Sequence, residues 1–298
     1  MKKSMILAMV MMIVIASCES GITQEGARSE KTAKVHVNFS GFEIETTTRT
    51  TSADDAGVNH ISFAVINSEG QIVKSAKQAK GSDGFGSVSF ELAEGTYIFA
   101  AEADNGAGVA TIGVSNGEVI ATIPGSTVYD TFAKSQHVTV TAGEDVNLQM
   151  TLSRISAQLY LATKDNQPEE VKKLQFLIGD TTKAAYSSFC INLATGTMDG
   201  FGTTGHLKRE WSRTSMDTCK ATTQSCALLL DTEEKKLPVT IVVRGADNSV
   251  LYSHSIDSVP FKQNCKTTIT GNLYGSEEDC KSTFEFDTAW KDSIDGGW

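Results

Sequence analysis

The chain has 298 residues, 40% of them apolar, and a formal net charge of −10. That length supports one large or two medium domains with a real core. The negative charge, with no cluster of Lys or Arg, excludes a nucleic-acid partner, because phosphate binding needs grouped cations.

The N-terminus, MKKSMILAMVMMIVIASCES, places Lys2 and Lys3 before an apolar run from Met5 to Ile15, followed by Ala16 and Ser17. The run is too short to span a bilayer comfortably and has the layout of a secretory signal over residues 1–17. Losing Lys2 and Lys3 with it takes the charge from −10 to −12. Cys18 follows directly. The segment resembles the signal of a bacterial lipoprotein, which implies that Cys18 is acylated on its thiol, for instance with palmitate, and becomes the new N-terminus. The product would be anchored to a membrane without spanning it. Residues 18–32 are polar and read as a tether.

Period-two alternation begins next. In KVHVNFSGFEI, Val35, Val37 and Phe39 fall on one face, giving a first strand over residues 33–44 with a bulge at Ser40-Gly41. Residues 45–57 form a Thr- and Asp-rich linker in which Arg49 is the one cation between Lys34 and Lys74. NHISFAVINSEGQIV reads as a hairpin around Asn67-Ser68-Glu69-Gly70, and GSVSFELAEGTYIFAAEAD as a second hairpin around Ala93-Glu94-Gly95. Strands led by Val138-Val140 and Val146-Leu148-Met150 follow. Near Arg154 the pattern passes into a new strand carrying Ile155, Ala157, Leu159 and Leu161. A domain boundary is expected there, dividing 33–153 from 154–298. The second half repeats the style of short strands and Gly/Asn/Asp turns, with no amphipathic helix beyond a turn or two near Glu169–Lys173. Regularly spaced strands of this kind predict two tandem all-β sandwiches.

Candidate chemistry is sparse. GVSNG (Gly113–Gly117) matches the nucleophile-elbow pattern, but an elbow needs a helix after the Ser. The Asn116-Gly117 pair inside β-branched sequence predicts a hairpin turn instead. His36, His60, His137, His206 and His254 share no ligand spacing, and the acidic pairs lack calcium-loop periodicity, so neither a metal nor a cofactor is expected. Trp211 is read either as a sugar-stacking platform or as a partly buried core residue. Cys190, Cys219, Cys226, Cys265 and Cys280 lie in the second half, an odd number outside the cytoplasm. The first pairing to expect is Cys219–Cys226 through a turn, the second Cys265–Cys280. Connectivity stays open. No catalytic group emerges, and no enzyme is expected.

The order of these features resembles the fimbrillin-like proteins of Bacteroidales, the type V pilins and their anchoring relatives. The resemblance runs through the lipid-bearing Cys, tether, first strand, Arg-bearing linker, LAEGTYIFAAEAD, LSRISAQLYL and VPFKQNCKTTITGNLY, followed by a terminal strand. It covers nearly the whole mature chain, although a cysteine-rich second half and an Asp-Gly-Gly-Trp end depart from the pattern. It implies two transthyretin-like Greek-key sandwiches, export to the outer membrane through the lipid on Cys18, and assembly with other fimbrial subunits. It also implies an arginine-specific protease that would cut between Arg49 and Thr50 and free the first strand. A neighbour's strand would then fill the groove. The donor expected here is Ser282–Trp298, with Phe284, Phe286 and Trp290 on one face. Arg28 is a rival cut site that would spare the first strand. The competing functional expectations are a fimbrial anchor and a glycan-binding surface lipoprotein.

Overall fold

The computed structural model describes residues 32–43, 57–106, 108–214, 220–275 and 283–287, with 40–43 and 283–287 described by backbone alone. Among the described residues every regular element is a β-strand: β1 Thr32–Glu43, β2 His60–Ile66, β3 Ile72–Ala79, β4 Ser87–Ala93, β5 Gly95–Asp104, β6 Thr111–Ser115, β7 Glu118–Pro124, β8 Thr131–Val140, β9 Val146–Arg154, β10 Ala157–Asn166, β11 Lys173–Gly179, β12 Ser188–Asn192, β13 His206–Ser212, β14 Ala221–Leu228, β15 Glu234–Arg244, β16 Val250–Lys262, β17 Lys266–Gly271 and β18 Thr283–Asp287. The helical turn near Glu169 is only a turn before β11.

The first seven-stranded set runs β3-β2-β5-β8-β9-β1-β4. Its middle joint is narrow, because β8 meets β9 only at Phe132–Arg154 and Ala133–Ser153. The set therefore folds there into two layers. Ile61, Phe63 and Val65 of β2 and Phe99 and Ala101 of β5 face Val35, Val37 and Phe39 of β1 and Met150 and Leu152 of β9 in one core. Phe63 contacts the Phe39 ring edge-on at 5.5 Å and stacks on Phe90 at 5.9 Å, which ties the layers together.

The second half repeats this topology. Its sheets run β13-β11-β15-β16 and β14-β10-β17-β18. β10 lies parallel to β17 and antiparallel to β14, as β1 lies parallel to β9 and antiparallel to β4. β13-β11-β15-β16 corresponds to β3-β2-β5-β8 in the same way. Four strands stand outside the seven-strand repeat on the described residues: β6, β7 and β12, which pair with one another in a separate sheet, and β18. Through β7–β12, the hairpin β6–β7 joins chain from both halves. Ile112, Val119, Ala121 and Ile123 pack in one core with Leu159, Phe176, Phe189 and Val243.

Two expectations need correction. GSVSFELAEGTYIFAAEAD is not a hairpin: β4 pairs with β1, and β5 pairs with β2 and β8. Both strands alternate correctly, but the chain changes layer between Ala93 and Gly95 instead of folding back on itself. The turn proposed to bring Cys219 to Cys226 does not exist over the described chain. β14 runs without a break from Ala221 and carries Cys226 opposite Leu159. Cys219 itself lies outside the described residues.

Candidate functional site

The first strand occupies a slot between two others. Thr32–Asn38 of β1 pairs antiparallel with β4, while Val35–Glu43 pairs parallel with β9, with a one-residue irregularity between Asn38 and Gly41 at the bulge expected there. Alternation does the positioning. Ala33, Val35, Val37 and Phe39 point into the core and are at most 2% exposed. Thr32, Lys34, His36 and Asn38 point to solvent. On that outer side His36 Nδ1 meets Ser89 Oγ of β4 at 2.6 Å. The Phe39 amide donates to Gly86 O at 2.8 Å.

Taking β1 away would uncover two hydrogen-bonding edges, β4 and β9, and an apolar trough floored by Phe63, Phe99 and Met150. That combination is a template for another strand. β1 continues into residues 44–56, which include Arg49 and lie outside the described residues, and the chain resumes at Gly57.

Of the expected donor segment, residues 283–287 are described. β18 is an edge strand on β17, with residues 284 and 286 in register with Ile269 and Thr267. Trp290, Cys280 and Cys18 fall outside the described residues. The connector after β17 is pinned by Asp165, whose carboxylate accepts from the amides of Leu273 at 2.9 Å and Tyr274 at 2.6 Å. Nothing in the local pattern around Asp165 pointed to that role, because its partners are far away in sequence.

The remaining candidates resolve into structural parts. GVSNG is the tip of the β6–β7 hairpin: Asn116 and Gly117 hold φ of 53° and 81°, and a strand follows where an elbow needs a helix. Trp211 is half-buried, edge-on to Phe176 at 4.9 Å and capped by the Arg209 guanidinium at 5.6 Å, so its ring is not an open platform. Among the described residues no group of His, Cys, Asp and Glu could hold a metal ion, and no helix is long and apolar enough to cross a membrane. Cys226 is buried and its thiol is pushed up to about 12 by desolvation. Cys265 is buried as well, whereas Cys190 is exposed on β12.

The junction between the halves carries groups that alternation could not reveal. Arg154 Nε lies 2.8 Å from Asp130 Oδ1 and its Nη2 donates to Oδ2 at 2.9 Å. Its Nη1 reaches Asn264 Oδ1 at 3.4 Å, in the turn between β16 and β17. Ser156 Oγ donates to Asp130 Oδ1 at 3.0 Å. Burial pushes the Asp130 carboxyl upward, opposed by Arg154 and Ser156. The segment LSRIS thus clamps β8, β9 and the second half together.

No curated protein sequence matches the chain. Solved structures do. A candidate polysaccharide-binding protein (DUF1812) from Bacteroides thetaiotaomicron aligns with a TM-score of 0.52 and 12% identity over 86% of this chain and 96% of its own. The fimbrial anchor protein Mfa2 from Porphyromonas gingivalis aligns with a TM-score of 0.50 and 10% identity, covering 86% and 95%. A candidate adhesin, also from Bacteroides thetaiotaomicron, aligns with a TM-score of 0.50 and 9% identity, covering 88% and 98%. The expected fimbrillin-like fold is therefore shared with these Bacteroidales proteins across both halves. By sequence, a family model matches residues 109–297, from the approach to β6 almost to the C-terminus, and the chain belongs to that family, DUF6562, a family of unknown function.

Proposed function

We propose that the chain is a structural subunit of a surface fimbrium, built from two transthyretin-like sandwiches meeting near residue 153 and contributing to adhesion. It would be exported as a lipoprotein through Cys18 and held at the outer membrane. An arginine-specific protease would cut before Thr50, and the groove vacated by β1 would receive the Ser282–Trp298 segment of the next subunit, with Phe284, Phe286 and Trp290 as anchors. The observation that carries the proposal is the placement of β1. It is a central, core-bearing strand, yet its only covalent link to the rest of the domain is the linker containing Arg49. The position of β18 outside the repeated seven-strand set adds support, because the second sandwich completes its repeat without it.

The likeness to a fimbrial anchor favours a second reading, in which the chain keeps its lipid and its first strand and serves as anchor, or as a glycan-capturing surface module. Mass spectrometry of the mature N-terminus separates the two. A start at Thr50 is the expected result for an assembling subunit. A lipidated Cys18 with residues 19–49 still attached overturns cleavage and leaves the anchor or binding module.

A further inference from the structure

Two carboxylates lie side by side on the outer face of β5. Glu102 is 0% exposed and Asp104 1%. They stand two residues apart, so they share the face opposite the first core. As carboxylates, Glu102 finds no donor for either oxygen and Asp104 finds none for Oδ2.

Among the described residues, no neighbouring strand or connector supplies a cation to Glu102. From β2, His60 stands opposite Asp104 with Nδ1 3.6 Å from its Oδ1. Ser62, opposite Glu102, gives its hydroxyl to Ala110 O at 2.8 Å. From β3, Lys77 lies opposite Ser62, but its ammonium donates to Thr111 Oγ1 at 2.9 Å. From β8, the residues opposite are Ala133 and Thr131, neither titratable. Asp130, just before β8, is engaged by Arg154. From the connector after β5, the Gly106 amide donates to Asp104 Oδ1 at 2.7 Å. An unpaired buried carboxylate is costly enough that the group takes up a proton instead. Burial drives the Glu102 carboxyl well above its ordinary value, with the charge of Asp104 the next largest cause. Burial also raises Asp104, against the Gly106 amide and His60.

We propose that Glu102 and Asp104 share one proton, and that this proton fastens the crossover into β6, the start of the hairpin that joins the two halves. Glu102 as an acid donates to Asp104 as a carboxylate, which satisfies both. Losing that proton puts two negative charges in one buried site, beside Ser62, which holds Ala110, and one strand from Lys77, which holds Thr111. The crossover then opens to let water in.

The sign follows from linkage. A carboxyl raised in the folded state contributes stability that is complete below its ordinary value of 4.5 and is lost as pH rises through the raised value. Within that window one proton multiplies opening by about tenfold per pH unit. The test is amide exchange of the full chain between about pH 5 and about pH 9, corrected for chemical exchange, on peptides spanning residues 98–124. In the wild type, opening of 108–115 is expected to rise with this slope. In Glu102→Gln, which keeps the shape and cannot ionise, it is expected to stay flat. Equal slopes in the two proteins overturn the proposal. The wild type alone provides a second readout that does not depend on the variant folding: a protonated-carboxyl infrared band at neutral pH. Its absence overturns the proposal. So does a gain of protection at pH 8 on adding calcium chloride, which would make the pair a cation site.

Discussion

Arg154 shows how much one side chain can carry. It is 4% exposed, and its two bonds to Asp130 and its reach to Asn264 place a full charge inside the junction. Removing one partner of such a pair leaves the other buried and uncompensated, typically at a cost of about 3–5 kcal/mol. Arg154→Leu is expected to lose that much in urea denaturation. Adding Asp130→Asn should restore part of it, because the stranded charge is gone. If the double variant is no more stable than the single, the pair is not the source of the loss. The cysteines are the other residue-scale case. Cys226 is buried with its thiol pushed up to about 12, so almost no thiolate forms at pH 8, and β14 keeps the residue shut in the core. Brief native alkylation followed by peptide mass spectrometry should label Cys190, which is exposed, and spare Cys226. Native labelling of Cys226 at the rate of Cys190 would mean that β14 opens readily. The Cys219–Cys226 expectation arose because seven residues can turn back on themselves. Whether they do is decided by the partner that β14 finds in β10, where Leu159, opposite Cys226, lies 67 positions earlier in the chain.

At the scale of elements, β1 is where sequence and structure agree best. Its alternation named the core-facing residues Val35, Val37 and Phe39 and the bulge after them, because a strand half-buried on one side writes its orientation into every second residue. Its neighbours were not legible. Nothing in VHVNF says that β4 will flank it on one side and β9, over a hundred residues away, on the other. The same gap explains the misread β4–β5 hairpin, since local alternation fixes a strand's face and leaves its partner open. It also explains why the pairing of β7 with β12 and the seven-strand repeat between the halves went unseen: the repeat exists in strand order, without matching residues. Energetically, Val35, Val37 and Phe39 together bury side chains worth about 5–9 kcal/mol. A domain's whole stability is about 5–15 kcal/mol. A chain lacking residues 32–43 is therefore expected to lose most of the first sandwich's stability. A synthetic peptide of Thr32–Glu43 should restore its thermal midpoint in trans, and the same peptide with Val37→Asp should not. Equal rescue by both peptides would mean that the slot does not read the buried face.

At the scale of the whole molecule, the slot and β18 lie in different sheets of one chain, one in each half. A contact between the slot of one copy and the terminal segment of another is therefore heterologous: it uses two different surfaces and leaves one of each unfilled at the ends. Unless rotation happens to close a ring, such a contact grows into an open filament. On the proposed assembly, two barriers would keep the uncut chain a monomer. β1 fills the slot, and β18 rests on β17. Cutting after Arg49 would not by itself remove β1, which keeps its hydrogen bonds and buried side chains. It makes departure of β1 possible without unfolding the rest, so assembly should be slow and should accelerate under conditions that loosen the first sandwich. The expected outcome is that the full chain treated with an arginine-specific protease forms a ladder of polymers on a gel. The same chain ending at Cys280, without Lys281–Trp298, should stay monomeric after identical cutting while its circular dichroism remains that of a folded β-protein. A ladder from the truncated chain would assign the donor to another segment. A monomeric product from the full chain, confirmed to start at Thr50 and to have lost β1, would mean that the open slot is filled by a different protein.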